Sequence, residues 1–107
     1  MINCSCLVQQ GQSPDLQKAE IQQAINAFTE RAFGSAAQIA WIPVAAGNGF
    51  TANKPSTSSV VSITANEKLA PLRREALLRE FVDLWTSQTG NSSDEIVAVI
   101  TDPTETP

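Results

Sequence analysis

The sequence predicts an α+β fold in which one β-α-β unit occurs twice, giving a four-stranded sheet with two helices on one face. Three observations carry this reading. Residues 2–9, "INCSCLVQ", alternate from the second residue onward and read as a strand. Two helix patterns, each opened by a proline and closed by a glycine, follow a strand and precede another. Landmarks also recur at a near-constant interval: Pro14 and Pro71, like Ile39 and Ile96, lie 57 residues apart, and Gly34 and Gly90 lie 56 apart. Two copies make a duplication rather than a solenoid. Each crossover makes its own two strands parallel and right-handed.

The elements follow in order. In "QSPDLQKAEIQQAINAFTERAFG", Ser13 suits the N-cap, Pro14 the first helical position and Gly34 the stop. Ile21, Ile25, Phe28 and Ala32 step by four, three and four and form one buried stripe. Residues 38–44, "QIAWIPV", read as a strand whose Pro43 points to an edge or a bulge. Residues 45–57, "AAGNGFTANKPST", read as a loop. The second unit repeats the scheme: a strand over 59–64, a helix from Pro71 to Gly90, and a strand over 95–101. The whole chain is expected to be a single domain over 1–107, with units at 1–44 and 58–102 and a polar tail at 103–107.

Two helices cover one face of such a sheet. "IAWI" and "IVAVI" are nevertheless apolar at consecutive positions, the pattern of strands buried on both sides. The sheet face, about 300 Å² in projection, reaches the size of the largest apolar patch a monomer ordinarily exposes. The periodicity therefore predicts an oligomer assembled through its sheets.

Composition removes several function classes. Seven basic against eleven acidic residues give a net charge of −4, which disfavours nucleic acid and anionic membranes as partners. No apolar run approaches the roughly 20 residues of a membrane span, and "MINCSCLV" lacks the layout of a signal peptide, so a cytoplasmic location is expected. With no histidine, Ser-His-Asp and Cys-His catalysis are excluded, as are His-ligated metals. No metal and no cofactor is expected. Cys4 and Cys6 fall on one strand face, about 6.6 Å apart at Cα, a poor disulfide spacing. They read as reduced thiols in a packed surface, with a redox or metal role as the alternative.

Taken together, a strand from the first residues, a glycine nine residues on, a helix, a second strand, a "GNGF" loop and then the unit again resemble the tautomerase superfamily. "VQQGQSPDLQKAEIQQAINAF" looks like the first turn of 4-oxalocrotonate tautomerase. "AAGNGFTANKPSTSSVVSIT" and "GNSSDEIVAVITDP" look like its fused relatives near cis-3-chloroacrylic acid dehalogenase. The resemblance implies the tautomerase/macrophage migration inhibitory factor fold, assembled as a trimer with sheets inward. It also implies an amino-terminal proline whose secondary amine is the general base or acid toward a small keto or unsaturated acid.

This chain departs from that pattern where the chemistry is carried. Counting back nine from Gly11 reaches Ile2, so isoleucine stands at the proline position and the terminal amine is expected to belong to Met1. Gln12 and Ala40 stand where relatives carry arginines, Phe28 stands at a dehalogenase histidine, and Lys68 is the cation after the third strand. Phe50, with Lys54 following, matches the aromatic of the pocket loop. The site candidates are thus Met1 and Ile2 for catalysis and Gln12, Ala40, Phe50, Lys54 and Lys68 for a ligand pocket. Plainer readings stand beside them. Trp41 and Trp85 suit a core or subunit contact, Phe50 a packing clamp, and Lys54 a solvated side chain. Arg73, Arg74, Glu75, Arg79, Glu80 and Asp83 read as a solvated helix face with i,i+4 pairs, and Asp94 and Glu95 as turn residues. Two function classes remain: a divergent isomerase acting on a small organic acid, or a non-catalytic trimer that binds a small molecule or serves as a scaffold.

Overall fold

The computed structural model describes residues 1–9, 15–45, 48, 50–51, 54–55, 58–90 and 92–103. The elements are β1 (Ile2–Gln9), α1 (Asp15–Phe33), β2 (Ala37–Val44), β3 (Phe50–Thr51), β4 (Lys54–Pro55), β5 (Ser59–Thr64), α2 (Pro71–Thr89) and β6 (Ile96–Thr101), with a 3-10 turn at Ser93–Glu95. The sheet order is β2-β1-β5-β6. β2 runs parallel to β1 and β6 to β5, while the central pair β1/β5 is antiparallel. Both helices cover one face, so this is the α+β, twice-repeated β-α-β architecture that the strand and helix signals predict. No described helix is long and apolar enough to cross a membrane.

Strand parity decides the core. Ile2, Cys4, Cys6 and Val8 of β1 and Val61 and Ile63 of β5 face the helices and are buried. Against them pack Ile21, Ile25 and Phe28 of α1 and Leu77, Phe81 and Trp85 of α2. Aromatic rings link these layers in a chain. Phe33 meets Phe28 edge-on at 6.3 Å, Phe28 meets Phe81 at 5.5 Å, Phe81 stacks on Trp85 at 6.3 Å, and Trp85 neighbours Trp41 of β2 at 6.4 Å. Trp85 is therefore a core residue, and the half-buried Trp41 packs against it on the helix side.

The helix stops behave as their glycines require. Gly34 (φ 70°) and Gly90 (φ 75°) take the left-handed conformation and donate to Glu30 and Thr86 carbonyls, each at 2.9 Å. Pro71 occupies the first turn of α2, where no amide donor is missed. Ser92 and Glu95 close a capping box on the 3-10 turn, so Glu95 belongs to that turn and β6 begins at Ile96.

Two expectations change. First, the 45–57 segment is more than a loop, because Phe50 pairs with Pro55 and Thr51 with Lys54 in a two-residue hairpin. Second, the internal correspondence shifts along the second crossover. Ile39 pairs with Cys4, and Val61, the counterpart of Cys4 at 57 residues, pairs with Ala98. The partner of Ile39 is thus Ala98 rather than Ile96, since the link from Gly90 is longer and holds the 3-10 turn. The outer sheet face is left open in the single chain, as two helices on one side require. Ala40 and Ile42 of β2 and Val97 and Val99 of β6 are exposed there, among the polar side chains of Asn3, Ser5, Gln38 and Thr101.

The open edges are partly blunted. On β2 the Ala37 amide is taken by Asn26 Oδ1 at 2.9 Å, and Pro43 supplies no donor, as its place at an edge requires. On β6 the Ile100 carbonyl accepts from Arg74 at 3.3 Å.

Candidate functional site

One end of the sheet gathers the first residues of β1, the turn before β2, the connection from β5 to α2 and the end of β6. Parallel pairing of Ile2 with Ala37 and antiparallel pairing of Asn3 with Thr64 set this arrangement. Met1 protrudes here and is 76% exposed. Ile2 does the opposite. Its side chain is 1% exposed in the core, and its N–H donates to the Ala36 carbonyl at 2.8 Å. With Met1 in place, the nitrogen at position 2 is an amide bonded into the sheet.

A clamp holds the surrounding connections. Arg74 donates to the Leu69 carbonyl at 3.2 Å, the Ile100 carbonyl at 3.3 Å and Asp102 Oδ1 at 2.6 Å. The same Asp102 oxygen accepts the Leu69 amide at 3.0 Å. The hydrogen bond from Arg74, then that from Leu69, holds the Asp102 carboxyl below the usual carboxylate range. Asn66 Nδ2 adds a bond to the Phe33 carbonyl at 3.0 Å, tying the β5–α2 connection to the end of α1. Arg73 also reaches α1, at the Ala32 carbonyl. Lys68 lies on this clamped connection, exposed, within the electrostatic field of Asp102.

The other candidates scatter. Ala40 stands on the outer sheet face beside Ser5, opposite in parity to Ile2, so one chain does not bring the two together. Phe50 and Lys54 lie in the β3–β4 hairpin, and their side chains fall outside the described residues, as does Gln12 entirely. Within one chain, Met1, Ile2 and Lys68 share an end and Ala40 does not.

Sequence reasoning missed the clamp. Arg74 was expected on a solvated face, but it is half-buried and bonded across three segments. A 28-residue separation from Asp102 leaves no local signal of the pair. Glu80 is likewise tied to Arg31 of α1, whereas Glu75–Arg79 forms the expected i,i+4 pair at 2.7 Å.

Cys4 and Cys6 are free and buried, with sulfurs 3.8 Å apart. The hydrogen bond to Cys4, followed by burial, pushes the Cys6 thiol up, so it remains protonated. Two open grooves flank the sheet edges. One, of about 430 Å³, lies between α1 and β2 and is lined by Gln22, Gln23, Asn26 and Ile39. The other, of about 290 Å³, lies between α2 and β6 against Leu78, Val82 and Ala98. Neither is lined by Met1, Ile2 or Lys68.

No family model matches the chain, and no curated protein does. Solved structures do. A fused 4-OT described as a wild-type symmetric trimer superposes with TM-score 0.81 at 14% identity, over 94% of this chain and 85% of that one. N1, a member of the cis-3-chloroacrylic acid dehalogenase family, gives 0.79 at 11% identity, over 94% and 74%. A macrophage migration inhibitory factor-like protein from Entamoeba histolytica gives 0.76 at 15% identity, over 96% and 89%. The duplicated unit, the strand order and these likenesses agree: the chain has the tautomerase-superfamily fold.

Proposed function

We propose that the protein is a divergent homotrimer of the tautomerase type that has given up the proton transfer carried by a prolyl amine and binds a small organic acid. One observation carries this reading. The nitrogen at position 2 is an amide bonded to the Ala36 carbonyl, and the Ile2 side chain is locked in the core. A general base contributes about 10²–10⁴-fold in rate, and a preorganised cation at a developing oxyanion about 10²–10³-fold. With Ile2, Gln12 and Ala40 at the proline and arginine positions, both kinds of contribution are lost together. Lys68, and Lys54 with Phe50 from the pocket-loop hairpin, are the residues proposed to meet the ligand carboxylate and its apolar body. The trimer is supported by the apolar side chains on the outer sheet face and by the trimeric assembly of the fused 4-OT relative.

A second reading is favoured by Met1 itself. Its exposed position beside the clamped connection leaves the primary amine open to a substrate, and it would serve as the base of a slow isomerase. One experiment separates the two. A panel of keto, enol and unsaturated acids is screened by calorimetry and by ketonisation rate on the same protein, before and after selective acetylation of its α-amine. Binding without turnover supports the binding protein. Turnover lost on that acetylation, which removes the amine's basicity, supports the Met1 amine, and neither binding nor turnover refutes both.

A further inference from the structure

Sulfur is confined to one stretch of this chain. Its only methionine and its only two cysteines, Met1, Cys4 and Cys6, fall within "MINCSC". The two thiols take no part in the function proposed above. Both project from β1 toward the helices, Cys4 at 2% and Cys6 at 0% exposure, with their sulfurs 3.8 Å apart.

That span does not suit a direct bond. A disulfide needs sulfurs about 2.05 Å apart and Cα atoms no more than about 6.8 Å apart. Strand geometry already sets these Cα atoms about 6.6 Å apart. Nor is β1 free to buckle, because it is an inner strand paired on both sides. Cys4 lies between Ile39 and Ile63, and Cys6 between Trp41 and Val61. Closing the bond would pull β1 out of both ladders and cost hydrogen bonds on each side. A single bridging atom asks for much less. Two metal–thiolate bonds of about 2.3 Å meet at about 110° across such a gap, and they straighten when the sulfurs part by under about 1 Å. Small rotations about χ1 cover that distance while β1 stays in its ladders.

Donor number then selects the ion. Soft thiolate ligands suit copper(I), zinc and iron–sulfur clusters. Structural zinc takes four ligands and a cluster four cysteines, whereas this chain has two cysteines and no histidine. Among the described residues, no three cysteine or carboxylate side chains gather into a metal-holding group. Copper(I), a closed-shell ion satisfied by two sulfurs on a line, is the one that this pair can complete. The surroundings favour the same oxidation state. Ile39, Ile63, Trp41 and Val61 place no side-chain oxygen beside the sulfurs, and copper(II) prefers nitrogen and oxygen donors in a tetragonal array.

We infer that Cys4 and Cys6 form a two-coordinate site for one copper(I) ion, in the core beneath the helices and distinct from the residues proposed to meet an organic acid. No electron is transferred. A thiol proton passes to solvent as the copper–sulfur bonds form, and the ion stays cuprous. Burial makes exchange slow, because the helix layer must part for the ion to pass, and it shields the bound ion from oxidants.

The test uses the full chain, reduced and free of oxygen, with copper(I) presented as its bicinchoninate complex. Absorbance of that complex reads the transfer. Because sulfur is confined to this stretch, the stoichiometry reports on it alone. The expected result is slow uptake of one ion per chain, with X-ray absorption showing two sulfur neighbours and no nitrogen or oxygen. Cys4→Ser and Cys6→Ser should each weaken retention at least about 100-fold, the upper end of what losing a mere outer-shell partner costs. Far-ultraviolet circular dichroism checks that each variant folds, and if one does not, the wild-type absorption spectrum decides alone. Retention equal to wild type in both folded variants, nitrogen or oxygen neighbours in the spectrum, or no uptake by the reduced wild type overturns the site. The organic-acid reading stands or falls separately.

Discussion

Replacing Ile2 with proline tests whether position 2 still lies at a reaction site. The side chain is 1% exposed, and its amide donates to Ala36 at 2.8 Å. Proline fills less of the core than isoleucine, by about one methylene, which costs about 0.8 kcal/mol before any cavity is counted. Losing the amide donor adds about 0.5–1.5 kcal/mol. If Met1 stays, the total of about 1–2 kcal/mol lowers the melting temperature by roughly 5–15 °C. If Met1 is removed, as a proline in second place permits, the new secondary amine can itself donate to the Ala36 carbonyl. The loss then shrinks to the packing part alone, about 1 kcal/mol. Intact mass reports which of the two forms is made, and thermal unfolding at one fixed protein concentration reports the cost. Phenylpyruvate ketonisation reports the gain. The trimmed variant should exceed wild type, by up to the 10²–10⁴-fold of a general base, and adding Gln12→Arg should raise it further than either change alone. A trimmed, folded, oligomeric variant no faster than wild type would refute the reasoning.

Other predictions concern the scaffold. Asp102 is more acidic folded than unfolded, so its contribution is present above the ordinary carboxylate range and is lost as pH falls through the depressed value. Asp102→Asn should therefore lower the melting temperature at pH 7 and converge with wild type in strong acid, read by melts from pH 7 to pH 2. Phe81→Ala, at the fully buried centre of the aromatic chain, should cost about 3–5 kcal/mol in denaturant unfolding. Gly90→Ala meets no atom within 4 Å of the added carbon, so only the left-handed backbone is penalised, by about 1–2 kcal/mol.

Local signals in the sequence carried most of the fold. Gly34 and Gly90 mark helix ends because only glycine adopts their backbone freely, and Pro43 marks an edge because it cannot donate to a neighbour. Alternation in "INCSCLVQ" set the parity that buries Ile2, Cys4, Cys6 and Val8. What the sequence concealed was non-local. Arg74 and Asp102 meet only because β6 returns beside the start of α2, and nothing within either segment announces it. Consecutive apolar residues in β2 and β6 read as strands whose outer face another copy covers, and parity does send Ala40, Ile42, Val97 and Val99 outward, where a single chain leaves them exposed. The candidate site was legible only as positions. Ile2 could be named by counting from Gly11, but its committed amide could not, because the Ala36 acceptor comes from a turn 34 residues away.

The central claim is that this fold has lost the proton transfer at position 2. Its most direct test is the initial rate of phenylpyruvate ketonisation by the wild-type oligomer, on protein whose intact mass shows Met1 retained. The account predicts a rate indistinguishable from buffer at saturating substrate, with Ile2→Leu, which also keeps Met1, no different. Turnover well above buffer that is unchanged when the α-amine is acetylated would contradict it, because a group outside both position 2 and Met1 would then carry the reaction.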